Sequence, residues 1–283
     1  MSCTIKTERI TKAFGARNVL DGIDLDIRSG EIFGLLGPSG AGKTTLIKIL
    51  TGQLSQDGGT AYINGTDTRK LSGAEHRKFG ITMDNFGLYE RLSCAENLKI
   101  FARIYGLPNN SISDALAKVG LSDAAKTPAG KLSKGMTGRL KLARAFMTDP
   151  DILFLDEPTN GLDPVSADEI HKIILSEKAR GKTVFLTTHT MTEAEKLCDN
   201  IALLSDGKIV EYGTPAEICR RYDHQRMLKI HLYDGQDMML PHNRDAAAAL
   251  AALIEDGKAE TIHTTEPDLE TVFMELTGKE LSA

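Results

Sequence analysis

Residues 37–44 read GPSGAGKT and lie between an apolar run, residues 32–36, and a helix-like segment, residues 45–50. The three glycines leave no side chains in the way, so successive backbone N–H groups can close around a phosphate chain. The N-terminus of the following helix adds the positive end of its dipole. Lys43 is placed to reach the β- and γ-phosphates, and Thr44 to bind Mg²⁺. The residues of this predicted nucleotide-phosphate loop are Gly37, Pro38, Ser39, Gly40, Ala41, Gly42, Lys43, Thr44 and Thr45.

Composition excludes several other classes of protein. The 283 residues carry a formal net charge of −5, which gives no electrostatic footprint for nucleic acid, so no nucleic-acid partner is expected. The longest apolar stretch, residues 246–254, is far shorter than the roughly 18 residues that suggest a membrane span. The N-terminal residues lack the pattern of an export signal. Four scattered cysteines, Cys3, Cys94, Cys198 and Cys219, form no C-x-x-C pair, which favours a reducing cytoplasm.

The pattern along the chain predicts an α/β protein with a small second domain. β-type segments at 4–9, 20–27, 31–36 and 60–63 precede a helical region from 95 to about 147. Two buried-strand candidates, 152–155 and 183–186, flank a helical stretch at 165–179, as in a βαβ unit with a parallel sheet. The organisation changes near residue 214. The last 70 or so residues alternate strand (227–233), helix (244–255), strand (259–264) and helix (269–276), which indicates an appended α+β domain.

Two of these strands end in polar residues suited to phosphate chemistry. Residues 152–158 read ILFLDEP, so four apolar residues deliver Asp156 and Glu157 at the strand end that faces the phosphate loop in a parallel sheet. We expect Asp156 to hold a magnesium-bound water and Glu157 to act as general base toward the attacking water. His189 follows the other strand and is placed to reach the γ-phosphate.

A further motif distinguishes among nucleotide hydrolases. Residues 132–136 read LSKGM and precede a helical segment, and the carboxylate strand follows shortly afterwards. This ordered set resembles the signature sequence and the Walker motifs of the ATP-binding cassette (ABC) ATPases over about residues 4–213. The resemblance also matches residues 160–163 to the D-loop, His189 to the switch histidine, and Phe14 to the aromatic position that stacks on adenine. A GTPase or small kinase is the alternative, but the chain contains no N-K-x-D guanine-reading sequence.

The resemblance implies a P-loop NTPase fold with a RecA-like parallel-sheet core, an antiparallel β subdomain and a helical subdomain at about 86–147. It implies an ABC domain at 1–213 and an accessory domain at 214–283. It also implies Mg²⁺ and ATP, buried between two cassettes arranged head to tail, so that a homodimer is expected. Each cassette then contributes Ser133, Gly135 and the D-loop Asp163 to the nucleotide of its partner, and an isolated subunit should hydrolyse ATP poorly.

Two departures from the family pattern stand out. The usual glutamine of the Q-loop aligns with Asp84, a possible Mg²⁺ ligand that cannot donate a hydrogen bond as an amide does. Asn85 fills the amide role instead if the loop shifts by one residue. In the signature, Lys134 and Met136 replace a commoner glycine and glutamine, whereas Ser133 and Gly135 are kept.

The variant signature and the tail at 266–278 resemble ATPases of drug, bacitracin-type and lantibiotic exporters, which serve separately encoded permeases. The resemblance implies a peripheral location on the cytoplasmic face of the membrane, with contact through the permease only. An importer ATPase would share the same cassette, so nothing physical in these motifs fixes the direction of transport. A soluble ABC protein of translation or repair is a further alternative, although two cassettes in one chain, a long coiled-coil insertion and zinc modules are not found in the sequence.

Overall fold

The computed structural model describes residues 3–83, 87–223, 227–244, 246–265 and 267–278. The chain divides into two compact units, which separate between Thr214 and Pro215. The strands of the first unit are β1 (Cys3–Phe14), β2 (Arg17–Arg28), β3 (Ile32–Leu36), β4 (Gly58–Ile63), β5 (Thr66–Asp67), β6 (Phe79–Thr82), β7 (Ile152–Asp156), β8 (Thr183–Thr188), β9 (Asn200–Ser205) and β10 (Lys208–Gly213). Its α-helices are α1 (Lys43–Leu50), α2 (Gly73–His76), α3 (Cys94–Tyr105), α4 (Asn110–Lys118), α5 (Lys134–Phe146), α6 (Pro164–Ala179) and α7 (Met191–Leu197).

Two sheets organise this unit. An antiparallel sheet has the strand order β2-β1-β4-β5, and a six-stranded sheet has the order β10-β9-β3-β8-β7-β6. In the larger sheet only the β9–β10 pair is antiparallel. Parallel strands end at the same edge, and the register pairs Leu36 with Thr188 and Asp156 with Thr187. The residues that follow β3, β7 and β8 are therefore brought together.

The larger sheet is buried on both faces, which explains its continuous apolar strands. Along β7, Ile152 and Phe154 belong to one hydrophobic cluster, together with residues of α1, and Leu153 and Leu155 belong to a second cluster, together with residues of α3–α6. All four side chains are fully buried. Because neighbouring residues of a strand point to opposite faces, an uninterrupted apolar run satisfies both clusters at once.

The second unit is a small α+β fold. It contains α8 (Pro215–Arg221), β11 (Met227–Leu232), β12 (Asp237–Pro241), α9 (Ala246–Glu255), β13 (Ala259–Thr265) and α10 (Leu269–Thr277). Both β12 and β13 pair antiparallel with β11, which is the central strand. Leu228, Ile230 and Leu232 alternate as the buried residues of β11, and Val272 and Phe273 are buried from α10.

The predicted α/β class of the cassette is confirmed. The sequence did not predict α8 or β12; β12 is a short edge strand whose residues are mostly exposed, so it lacks the alternating burial that marks a strand. Within the described residues, no helix is both long and apolar enough to cross a bilayer.

Candidate functional site

The loop between β3 and α1 has a backbone that only glycine adopts freely. Gly42 has φ 114°, and a Cβ atom there would lie 2.8 Å from the carbonyl oxygen of Val19. A Cβ atom on Gly37 would lie 2.4 Å from the carbonyl oxygen of Leu204. Helix α1 begins directly after the loop, and no side chain caps its N-terminus. The first-turn N–H groups of α1 are therefore left for an anionic ligand.

Lys43 links this loop to the end of β7. Its ammonium donates to the carbonyl oxygens of Gly37 at 2.6 Å and Pro38 at 3.2 Å, and it lies 3.0 Å from Glu157 Oε1. The Lys43 side chain is only 6% exposed. A buried cation is thus held between loop carbonyls and a carboxylate, and a phosphate could compete for the same ammonium.

Thr44 and Asp156 bring hydroxyl and carboxylate oxygens to one place. Thr44 Oγ1 donates to Asp156 Oδ2 at 2.7 Å, and Thr187 Oγ1 donates to Asp156 Oδ1 at 2.6 Å. Such hard oxygen donors are the ligands that Mg²⁺ prefers, usually with several positions left for waters and substrate phosphates. The donor set therefore fits Mg²⁺. The sequence did not single out Thr187, although it lies in β8, two residues before His189.

Glu157 occupies a strained position. Its φ is 50°, a left-handed conformation that is costly for a residue with a Cβ atom. Its backbone N–H donates to the Thr187 carbonyl at 3.1 Å. On its carboxylate, Oε2 accepts a hydrogen bond from His189 Nδ1, while Oε1 faces Lys43. Glu157 is therefore in direct contact with both of the other residues predicted to be catalytic, Lys43 and His189.

A cavity of about 390 Å³ joins most of the predicted nucleotide residues. It is lined by Phe14, Arg17, Val19, Ser39, Gly40, Gly42, Lys43, Thr44, Thr45, Asp156, Glu157, Asn160 and His189. Gly37, Pro38 and Ala41 shape the loop without lining this cavity. Arg17 was not predicted; its guanidinium donates to the Gly40 carbonyl at 3.1 Å. A basic residue three positions after Phe14 is too common a feature to have indicated this contact.

Ser133, Gly135 and Asp163 do not line this cavity. Ser133 caps α5 by accepting from the Met136 N–H at 3.2 Å, and Asp163 caps α6. The pKa of the Asp163 carboxyl is lowered, mainly by hydrogen bonds from the backbone N–H and the side chain of Ser166. A Cβ atom on Gly135 would lie 2.5 Å from Ser166 Oγ, so the two helix starts pack closely. Asp84 and Asn85, predicted for the Q-loop, lie outside the described residues.

The chain is similar to known ATP-binding subunits. Residues 20–160 match the family model described as ABC transporter. A fluoroquinolones export ATP-binding protein of Mycobacterium tuberculosis is 40% identical, over 98% of this chain and 92% of that protein. The linearmycin resistance ATP-binding protein of Bacillus subtilis is 31% identical, over 98% of this chain and 99% of that protein.

Solved structures agree with these relatives. The structure of an ATP-binding subunit of an ABC transporter superimposes with a TM-score of 0.68 at 29% identity, over 77% of this chain and 93% of that one. A dimeric ATP-binding cassette in a post-hydrolysis state, bound to ADP and Pi, gives a TM-score of 0.67 at 27% identity, over 74% of this chain and 98% of that one. With the phosphate loop, the acidic strand end and the histidine assembled around one cavity, this chain belongs to the ABC transporter family as an ATP-binding subunit that hydrolyses ATP.

Proposed function

We propose that this subunit powers the export of a drug, an antimicrobial peptide or a similar amphiphile through a separately encoded membrane permease. The observation that carries the proposal is the extent of the similarity to relatives named for fluoroquinolone export and linearmycin resistance, which covers 98% of the chain. It therefore includes the second compact unit as well as the first. We assign residues 1–213 to the ATP-binding domain, with its helical subdomain at about 86–147, and 214–283 to an accessory domain.

For hydrolysis, we assign the general base to Glu157. Its carboxylate lies at the open cavity, and its contacts with Lys43 and His189 are side-chain contacts that can be exchanged for a phosphate and a water. Lys43 then pairs with the β- and γ-phosphates, and His189 supports the γ-phosphate and the attacking water. Thr44 and Asp156 would hold Mg²⁺, which when bound neutralises charge on the transferring phosphoryl group. Phe14, which is 52% exposed at the cavity, would stack on adenine.

We infer that the complete site needs a second copy of the chain. Ser133, Gly135 and Asp163 lie at the starts of α5 and α6 rather than around the cavity of their own chain. The N-terminus of a helix favours an anionic ligand. In a head-to-tail homodimer these residues would reach the nucleotide of the partner copy, and the similar cassette solved as a dimer supports this arrangement.

A groove on the first unit is suited to the permease. It has a volume of about 360 Å³ and is lined by His76, Phe79, Ile81, Gly87, Tyr89, Phe101, Tyr105, Arg144, Ala145 and Thr148. Aromatic side chains such as Tyr89, which is 59% exposed, provide a large contact area for a protein segment. We propose that the permease docks here and brings the subunit to the cytoplasmic face of the membrane.

Partner capture tests the assembly. The tagged full chain is purified from detergent-solubilised membranes, and the bound proteins are identified by sequencing. We expect a hydrophobic permease; recovery of only ribosomes or DNA would contradict the transport function. Tyr89→Ser should lower the yield of the permease, whereas Tyr233→Ser, which removes a tyrosine that is 70% exposed on the second unit, should not.

Drug accumulation tests the direction of transport. Cells that express the chain with its permease are loaded with a fluorescent fluoroquinolone, and the intracellular drug is measured. Export predicts less accumulation than in cells with Lys43→Ala, which should not hydrolyse ATP. More accumulation than in the Lys43→Ala cells would indicate import instead.

A further inference from the structure

Glu193 is a buried carboxylate that joins three segments of the chain. It lies in α7, is 3% exposed, and does not line the nucleotide cavity. Its Oε1 accepts hydrogen bonds from Thr159 Oγ1 at 2.7 Å and from His171 Nε2 at 3.1 Å. Thr159 belongs to the turn after β7, and His171 belongs to α6. One oxygen atom therefore receives bonds from two separate parts of the fold.

Glu193 keeps its negative charge although it is buried. Burial by itself raises the pKa of this carboxyl, but its polar contacts, led by the hydrogen bond from His171, outweigh that effect and hold the pKa below its ordinary value. Hydrogen bonds to a charged acceptor are stronger than those between neutral groups. The contact with Thr159 is therefore a firm anchor for the turn that contains it.

This turn carries the proposed general base. The Asn160 N–H donates to the Glu157 carbonyl at 3.2 Å, and the Leu162 N–H donates to the Thr159 carbonyl at 3.1 Å. Since Glu157 has a strained φ of 50°, its conformation persists only where the surroundings hold it in place. Glu193 fixes the turn two residues after Glu157, at Thr159.

Glu193 also lies close in the chain to the proposed switch histidine, four residues after His189. Helix α7 begins at Met191, two residues after His189, and Glu193 lies in its first turn. The Thr190 N–H donates to Thr188 Oγ1 at 3.0 Å, which closes the short link between β8 and α7. A shift of Glu193 would move both the turn of Glu157 and the start of the helix after His189.

We propose that Glu193, acting through Thr159 and supported by His171, is a positioning residue that holds Glu157 and His189 in register for ATP hydrolysis. It touches no reacting atom, so its effect is on the rate of the chemical step and not on nucleotide binding. The proposal rests on the assignment of Glu157 as the general base.

The test compares Thr159→Val with Thr159→Ser in the purified full chain. Valine removes the hydroxyl at nearly the same volume, and serine keeps it. We expect Thr159→Val to lower kcat by about 10-fold, since small misplacement of a catalytic group is costly, with KM and the Kd of a fluorescent ATP analogue changed by less than about 2-fold. Thr159→Ser should restore kcat to within about 2-fold of the unmodified chain, because it keeps the hydrogen bond to Glu193.

Thr183→Val is the matched control. Thr183 is 1% exposed, and its Oγ1 accepts from the Gly30 N–H at 3.0 Å, at the opposite end of β8 from Thr188. This variant also loses a buried hydroxyl, and should lower the melting temperature without lowering kcat. An equal loss of kcat in Thr183→Val would mean that general destabilisation explains the result, and would overturn the positioning role.

A double-mutant cycle tests whether Glu193 acts through Thr159. Glu193→Ala should lower kcat at least as much as Thr159→Val, and the double variant should lose no more than Glu193→Ala alone, because both remove the same contact. If the fold-loss of kcat in the double variant equals the product of the two single losses, Glu193 does not act through Thr159 and the proposal is overturned. If Glu193→Ala does not fold, the comparison of Thr159→Val with Thr159→Ser tests the proposal by itself. An unchanged kcat in folded Thr159→Val rejects the proposal. Failure of Glu157→Gln to slow hydrolysis would instead reject the general base, independently of these variants.

Discussion

The two ends of the six-stranded sheet both bury charged groups, but they bond them differently. At the amino ends, buried Glu31 accepts from the Arg28 N–H at 2.8 Å and from Asn200 Nδ2 at 2.9 Å. Asp199, which is half-buried, accepts from the Ile32 N–H at 2.8 Å and also pairs with Lys178, and neither Asn200 nor Lys178 lines the nucleotide cavity. At the carboxyl ends, Asp156 and Glu157 are bonded mainly by hydroxyl, ammonium and imidazole groups. Burial of a carboxylate is therefore common to both ends.

The difference lies in what the partners can do next. Backbone N–H groups at the amino ends are part of the chain's own connections and stay with their carboxylates. The partners at the carboxyl ends are side chains beside an open cavity, and each could turn to a phosphate, a metal ion or a water. A positive φ does not distinguish the two ends, because Asp149 at the amino ends has φ 47° and Glu157 has φ 50°. Exchangeable partners next to a cavity, more than burial itself, mark the functional end.

The largest contrast is expected between buried Lys43 and half-buried Lys182. Lys43→Ala should abolish ATP hydrolysis and weaken nucleotide binding, because the phosphates lose their direct cation. Lys182, which is 12% exposed and pairs with Asp149 at 3.0 Å, lies at the amino ends. Lys182→Ala should keep full activity and lose at most about 1 kcal/mol of unfolding free energy, the scale of a partly exposed ion pair. ATPase assays measure hydrolysis, fluorescence titration measures nucleotide binding, and urea denaturation measures the free energy of unfolding. Loss of ATPase activity in Lys182→Ala would contradict the assignment of function to the carboxyl ends alone.

Two glutamates provide the second contrast. Glu157→Gln should lower kcat by about 100-fold or more with ATP still bound, because an amide cannot act as general base. Glu31→Gln removes the charge from a carboxylate that is 9% exposed at the amino ends. It should lower the melting temperature and leave kcat unchanged. Steady-state ATPase assays measure kcat, and titration with a fluorescent nucleotide measures binding. A near-normal kcat in Glu157→Gln would show that another group is the general base.

The two ends of helix α1 provide the third contrast, between Thr44 at its start and Thr51 just after its end. Thr44→Val removes the hydroxyl proposed to bind Mg²⁺, so kcat should fall by about 10-fold or more and the Mg²⁺ concentration for half-maximal activity should rise. Thr51 lies just after α1 and donates to the Ile47 carbonyl at 2.8 Å. Thr51→Val should cost about 1 kcal/mol of stability, the net value of one hydrogen bond, with an unchanged Mg²⁺ titration. Identical titrations for Thr44→Val and the unmodified chain would remove Thr44 from the metal site.

The sequence predicted the parts of this site that depend on local pattern. An apolar strand followed by glycines and a helix identified the loop around Lys43, and the apolar run before Asp156 identified β7. Contacts between distant segments were not predictable in this way. Thr187 bonds Asp156 because β7 and β8 are neighbours in register, and Arg17 reaches Gly40 from the other sheet. Neither contact leaves a periodic signal in the sequence.

The signature residues illustrate a different limit. Ser133, Gly135 and Asp163 lie at helix starts and do not line the nucleotide cavity of their own chain, so one chain does not show how they would contact a nucleotide. The resemblance to ABC ATPases had assigned these residues to the nucleotide of a partner copy, and their absence from the lining of the chain's own cavity supports that proposal. The backbone strain at Glu157 is likewise invisible in the sequence, because nothing about a glutamate indicates a positive φ.

The smallest effect is expected at Phe14, which separates nucleotide binding from chemistry. Phe14 is 52% exposed at the end of β1, and Lys12 Nζ lies 5.5 Å from its ring centroid. Phe14→Ala should raise KM for ATP by about 5-fold with kcat unchanged, since a base–aromatic stacking contact is worth about 1 kcal/mol or more. Phe14→Tyr should keep KM, because it keeps the ring face. Stacking is tolerant of base identity, so KM for GTP should rise by a similar factor in Phe14→Ala; a rise for ATP alone would mean that this position reads the edge of adenine rather than its face.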